Sequence, residues 1–155
     1  MAPKASSIPK KPEDVRAPLS LAQQRLWFIY QYDPQSPTYN ISRAWRIKGP
    51  LNPQVLKASL NLIVARHDAL RTTFQEIDGQ SIQVIQPTFT APFQEWDWSA
   101  HDPAELEAEI DRFLIDEPLQ PFDLLTGPLL RFTLIRSGQD DHVLIFTVHH
   151  MVFDG

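Results

Sequence analysis

Hydrophobic and polar positions change period several times along the chain. From Ser20 onward, Leu21, Arg25, Leu26, Phe28 and Ile29 follow a helical spacing that predicts a helix to about Tyr30. Ser20 with Gln23 three residues later forms a capping box, and Asp33-Pro34-Gln35-Ser36-Pro37 breaks the helix. Residues 39–48 alternate: Tyr39, Ile41, Trp45 and Ile47 share one face, and Asn40, Ser42, Arg46 and Lys48 the other. That is a half-buried strand, ended by Gly49-Pro50. Asn52-Pro53 reads as an N-cap followed by proline at the first helical position. Val55, Leu56, Ser59, Leu60 and Ile63 then form an amphipathic stripe up to about His67. Thr72 to Ile77, Asp78-Gly79 and Ser81 to Ile85 predict a hairpin around a type I′ turn.

Residues 87–101, with Pro87, Pro92, Trp96 and Trp98, are rich in turn formers and are expected to connect elements. Asp102-Pro103-Ala104-Glu105 starts another helix with a capping-box pair, and Leu106, Ile110, Phe113 and Leu114 line one face of it. Pro121-Phe122-Asp123 leads through Thr126-Gly127-Pro128 into a strand from Leu129 to Ile135. Ser137 to Asp141 make a turn, and His142 to His150 form the last and most apolar strand. The order α, β, α, β-β, α, β-β, without internal repeat, predicts an α/β fold of the α+β two-layer sandwich type.

Composition narrows this picture. A length of 155 residues suits one domain, and 43% hydrophobic with 21% charged residues is a globular balance. The absence of cysteine excludes a disulfide scaffold, thiol catalysis and cysteine-ligated zinc, and fits a reducing, cytoplasmic setting. Apolar runs are only a few residues long, so no membrane partner is expected, and Met1-Ala2-Pro3-Lys4 has no apolar core behind it to make a signal peptide. A net charge of −5 argues against nucleic acid as a partner. Residues 1–18 hold four prolines, four basic and two acidic residues; they read as a flexible leader, or as a docking segment for an upstream protein. Between Glu95 and Asp123 lie ten acidic residues and one basic one, Arg112, which predicts a solvated acidic face or a surface for a basic partner.

Candidate chemistry lies in Thr147-Val148-His149-His150-Met151-Val152-Phe153-Asp154-Gly155. Alternation along a strand puts His150 with Leu144, Phe146 and Val148, and His149 with Val143, Ile145 and Thr147, so only one histidine faces a given cavity. A neutral imidazole at the end of that strand can take a proton from an attacking amine, alcohol or thiol without a metal. Asp154 on the following turn can fix the backbone or pair with a cation, and Gly155 relieves the chain there. Adjacent histidines after an apolar strand also serve as structural or surface residues. His-x3-Asp spacing can supply two metal ligands, but no third is apparent and no metal is expected. There is no Gly-x-Ser-x-Gly elbow and no phosphate-cradling glycine loop.

Several ordered segments together resemble the N-terminal part of a condensation domain of nonribosomal peptide synthetases. They are Leu19-Ser20-Leu21-Ala22-Gln23-Gln24-Arg25-Leu26-Trp27-Phe28, Tyr39-Asn40-Ile41, Arg66-His67-Asp68-Ala69-Leu70-Arg71-Thr72-Thr73-Phe74, and Pro121-Phe122-Asp123-Leu124 through Gly127-Pro128-Leu129-Leu130-Arg131. The fifth, His149-His150-Met151-Val152-Phe153-Asp154-Gly155, fits the family pattern HHxxxDG at every fixed position. The resemblance covers residues 19–155 and implies one lobe, similar to chloramphenicol acetyltransferase, of a two-lobed V with the active site in a tunnel between lobes. It implies that upstream and downstream peptidyl carrier domains bring thioesters in on phosphopantetheine arms, with no cofactor bound directly, and that an adenylation domain stands in the same assembly line. The downstream amine attacks the upstream thioester carbonyl to form a peptide bond. It further implies that His150 is catalytic, that His149 is structural, and that Asp154 is structural, bonded to an arginine of the second lobe. Gly155 permits the turn, and Arg25 and Arg71 belong to motifs that hold the lobe in shape.

The sequence ends at the motif, so the lobe is expected to be incomplete and inactive by itself, and the short leader suggests a domain that opens its polypeptide. An epimerization or ester-forming member of the same fold is the alternative within the family; a heterocyclization domain is disfavoured, because its motif carries aspartates where this chain has His149 and His150. A non-catalytic docking or scaffold fragment is the alternative outside it.

Overall fold

A computed structural model describes residues 16–154; the first fifteen residues of the expected leader and Gly155 lie outside the described residues. The leader gives up its last residues to structure, since Ala17–Pro18 form a two-residue strand, β1. Helix α1 spans Leu21–Tyr32, and its N-terminus carries the expected capping box: Gln23 N–H donates to Ser20 Oγ at 3.2 Å, and Ser20 N–H donates to Gln23 Oε1 at 2.9 Å. Strand β2 is Asn40–Lys48 and helix α2 is Pro53–Arg66, capped by Asn52 Oδ1 on the N–H groups of Gln54 and Val55. A 3-10 turn, Asp68–Arg71, leads into the hairpin β3, Thr72–Ile77, and β4, Gln80–Ile85. Asp78 and Gly79 both have positive φ, as a type I′ turn requires.

Next come β5, Phe93–Asp97, helix α3, Pro103–Asp116, a 3-10 turn, Glu117–Leu119, and the hairpin of β6, Leu130–Gly138, with β7, Asp141–His149. Two sheets result, β1-β4-β3 and β2-β7-β6-β5. All neighbours are antiparallel except β5 and β6, which α3 joins as a parallel crossover.

Strand β5 corrects the expectation of a connecting segment at 87–101. Its side chains after Phe93 are exposed at a sheet edge, so it carries no apolar alternation, and its pairing with β6 supplies the order. The stripe expected on α2 is rotated. Val64 and Leu60, with Leu70 of the following 3-10 turn, pack with Leu130, Phe132 and Val148 of the larger sheet, whereas Val55 and Ile63 are exposed. Helix α3 covers the opposite face with Leu106 and Ile110 against Ile135, Val143 and Ile145, so helices lie on both sides of the four-stranded sheet. The Asp102 cap reaches the N–H of Ala104 at 2.9 Å, one position short of a capping box.

A third cluster joins α1 to the small sheet and to the end of β7: Leu19, Trp27, Phe74, Phe122, Leu124, Leu129 and Met151. It seats the helix beside the histidine motif. One carboxylate of the acidic segment, Glu107, is paired from β2. Arg46 bridges Glu107 and Asp141, each at 2.8 Å, and its hydrogen bonds hold both carboxyls below their usual range. Glu117 departs further from a solvated face, being 4% exposed. Among the described residues no helix is long and apolar enough to cross a membrane.

Candidate functional site

Strand β7 ends at His149, one residue earlier than the apolar run predicts, and this boundary separates the two histidines. His149 is 5% exposed, edge-on to the Phe122 ring at 6.4 Å between centroids. His150 begins the turn, with its side chain 43% exposed. Backbone bonds fix both residues: His149 N–H donates to Leu129 O and His150 N–H to Tyr39 O, both at 2.9 Å. The buried imidazole is itself part of the turn, because its Nδ1 accepts the Met151 N–H at 3.1 Å. That bond requires Nδ1 to carry no proton, so His149 is neutral with its hydrogen on Nε2. Burial, reinforced by the neighbouring His150, pushes its pKa down to about 4.

Helix α1 closes the turn from the other side. The Gln23 side chain that completes the capping box also donates from Nε2 to the Met151 carbonyl at 3.0 Å. Gln23 therefore ties the start of α1 to the histidine turn, a role its capping signature alone does not reveal. Between them lies a cavity of about 630 Å³ lined by His150, Asp154, Gln23, Arg25, Tyr39 and the apolar Leu26, Ile29 and Phe153. Asp154 Oδ1 stands 3.7 Å from His150 Nδ1 and is otherwise fully in solvent.

The two arginines singled out in sequence are placed differently. Arg71 is tied into its own turn: Nη2 lies 2.5 Å from Asp68 Oδ1, and Nη1 donates to the Gln86 carbonyl. Arg25 is exposed on α1 and lines the cavity with His150; among the described residues it has no hydrogen-bond or ion-pair partner. Leu26 and Trp27, not Arg25, do the packing of its motif. Among the described residues no three metal-binding side chains cluster.

Sequence reasoning missed a polar network on the His149 side of β7. Glu117 pairs with Arg131 Nε and accepts the Thr147 hydroxyl, while Arg131 Nη2 donates to the carbonyls of Glu117 and Gln120 at 2.8 and 3.0 Å. The Arg131 guanidinium lies over the Phe122 ring, 4.2 Å from its centroid. Glu117 sits within an acidic run, which hid its burial; Arg131 two strand positions from Thr133 on the same face was the available signal.

A family profile described as Condensation domain matches residues 14–155. The chain is 42% identical over 151 residues to a linear gramicidin synthase polypeptide of Brevibacillus parabrevis, covering 97% of this chain and 2% of that protein. It is 40% identical over 150 residues to phosphinothricin tripeptide synthetase PhsC of Streptomyces viridochromogenes, covering 96% of this chain and 14% of that protein. The starter condensation domain of rhizomide synthetase RzmA superposes with a TM-score of 0.83 at 29% identity, covering 91% of this chain and 35% of that one. The first condensation domain of the calcium-dependent antibiotic synthetase gives 0.81 at 29% identity, covering 91% and 34%. The chain thus spans a small part of its curated relatives and about a third of these solved structures. A profile match over nearly all its length, relatives above the identity that marks common descent and a shared backbone place this chain in the condensation-domain family of nonribosomal peptide synthetases.

Proposed function

We propose that this chain forms the histidine-bearing lobe of a domain that joins an aminoacyl thioester to an upstream acyl or peptidyl thioester. His150 is the catalytic residue, and both substrates arrive on the phosphopantetheine arms of carrier domains loaded by adenylation domains of the same assembly line. The observation that carries this reading is the asymmetry of the histidine pair: His149 is buried and occupied by the Met151 N–H, while His150 is half-exposed on a cavity with mixed lining. An imidazole so placed can accept a proton from the amine as its nitrogen bonds to the thioester carbonyl carbon, hydrogen-bond the tetrahedral intermediate, and return the proton to the pantetheine sulfur as the C–S bond breaks and the thiol leaves. Asp154 Oδ1 stands on the same turn, 3.7 Å from the His150 Nδ1. In the two-lobed architecture that the resemblance implies, Asp154 also meets an arginine of the second lobe, and the cavity is completed there, so the described residues by themselves do not turn over.

The test is His150→Ala in the synthetase that contains this chain. Dipeptide formation should fall about 100-fold or more, the usual worth of a general base, while aminoacyl loading of both carrier domains is unchanged by mass spectrometry. Product formation at the parent rate removes His150 from the mechanism.

A further inference from the structure

We propose that Arg131, acting through Phe122 on His149, is a positioning residue for the turn that presents His150. The inference rests on the condensation reading for its catalytic consequence, and on geometry alone for the turn itself. Arg131 is immobilised in three directions. Its Nε faces the Glu117 carboxylate, its Nη2 reaches two carbonyls at 2.8 and 3.0 Å, and its partner Glu117 is held in turn by the Thr147 hydroxyl, which Ser42 Oγ contacts at 3.0 Å. A buried ion pair of this kind adds little net stability over an apolar pair of equal volume. What it does fix is direction: the guanidinium plane and the Phe122 face beneath it have one arrangement.

Phe122 then presents its ring at 85° to the His149 imidazole. The imidazole has one orientation in which Nδ1 meets the Met151 N–H, and Met151 is itself buried, so a tilted ring strands that donor without an acceptor. The turn would reopen to satisfy it, and His150, the next residue along, would leave its place on the cavity. The titratable and charged groups around His149 are His150 on the turn and the Arg131–Glu117 pair beyond Phe122; its neighbour on β2, Asn40, is uncharged. The ring is therefore held by packing and by one hydrogen bond, and its support runs back to β6.

The experiment uses the condensation domain containing residues 16–154, with nitrogen-15-labelled histidine. Two variants probe the path: Phe122→Leu, which leaves the ion pair, and Glu117→Gln with Arg131→Met, which removes the pair without leaving a buried charge. In the parent, NMR at pH 7 should show His149 as the Nε2–H tautomer alone. Each variant, while still melting cooperatively, should show mixed tautomers and a kcat lower by about 10-fold or more at unchanged KM, the expected effect of a displaced catalytic group. Folded variants that keep the single tautomer overturn the proposal, whatever their rates. Mixed tautomers with a parental kcat overturn its catalytic half. An inactive parent with a single His149 tautomer would count against the condensation reading instead, since the tautomer is read without turnover.

Discussion

At the residue scale, His149 turns into the core, where its Nδ1 accepts the Met151 N–H, and His150 turns onto the cavity, in keeping with alternation along β7. What alternation could not supply was the strand's last residue, because the end of β7 is set by the Tyr39 and Leu129 carbonyls and by Gln23, all distant in sequence. The buried partner has a measurable consequence. Folding lowers the His149 pKa from 6.5 to about 4, so the unfolded chain binds a proton across that window and the folded chain does not. Its contribution is fully present above pH 6.5 and is lost as pH falls toward 4, by roughly 3 kcal/mol in all. His149→Asn keeps an acceptor for Met151 but does not titrate. Urea unfolding of parent and variant at pH 7, 5 and 4 should therefore show the parent losing stability more steeply as the solution is acidified. Parallel pH profiles would show that His149 does not carry this dependence.

At the element scale, local signals suffice where the chain satisfies its own backbone groups. Ser20 with Gln23, Asn52-Pro53 and Asp78-Gly79 all act within a few residues, and the structure places a helix start or a turn at each. Strand β5 and the buried face of α2 were hidden because partners elsewhere decide them: β6 pairs the exposed edge, and Leu130, Phe132 and Val148 choose Val64 over Ile63. Two glycines test this contrast. Gly79 has φ +73° with open space where a Cβ would go, so Gly79→Ala should cost only the left-handed backbone penalty, about 1 kcal/mol. Gly127 has φ +59°, and a Cβ there would lie 3.0 Å from Thr73 Cγ2 and 3.1 Å from Phe89 Cζ. Gly127→Ala should add displacement of β3 and Phe89 to the same penalty and destabilise by about 2–4 kcal/mol. Equal denaturation midpoints for the two variants would show that the loop before β6 yields without disturbing its neighbours.

At the scale of the whole molecule, the described residues carry an exposed apolar face along α1. Along α1, Leu21, Phe28 and Tyr32 are 78%, 71% and 89% exposed, at a spacing that puts them on one helix face with Arg25, beside the cavity that holds His150. The opposite side of the same helix is anchored by Trp27 in the core, so α1 cannot rotate to hide this face. An apolar stripe held outward favours association with whatever apolar surface is at hand, and in a solution of the 155-residue chain that is another copy. The chain alone should sediment as a concentration-dependent mixture of species, and Leu21→Lys with Phe28→Glu should shift it toward monomer without lowering its melting temperature, since neither side chain contributes to the core. A parent chain that sediments as one monodisperse monomer across concentrations would show that this face is stable in water, and the expectation that it lies against a second body would lose its physical basis.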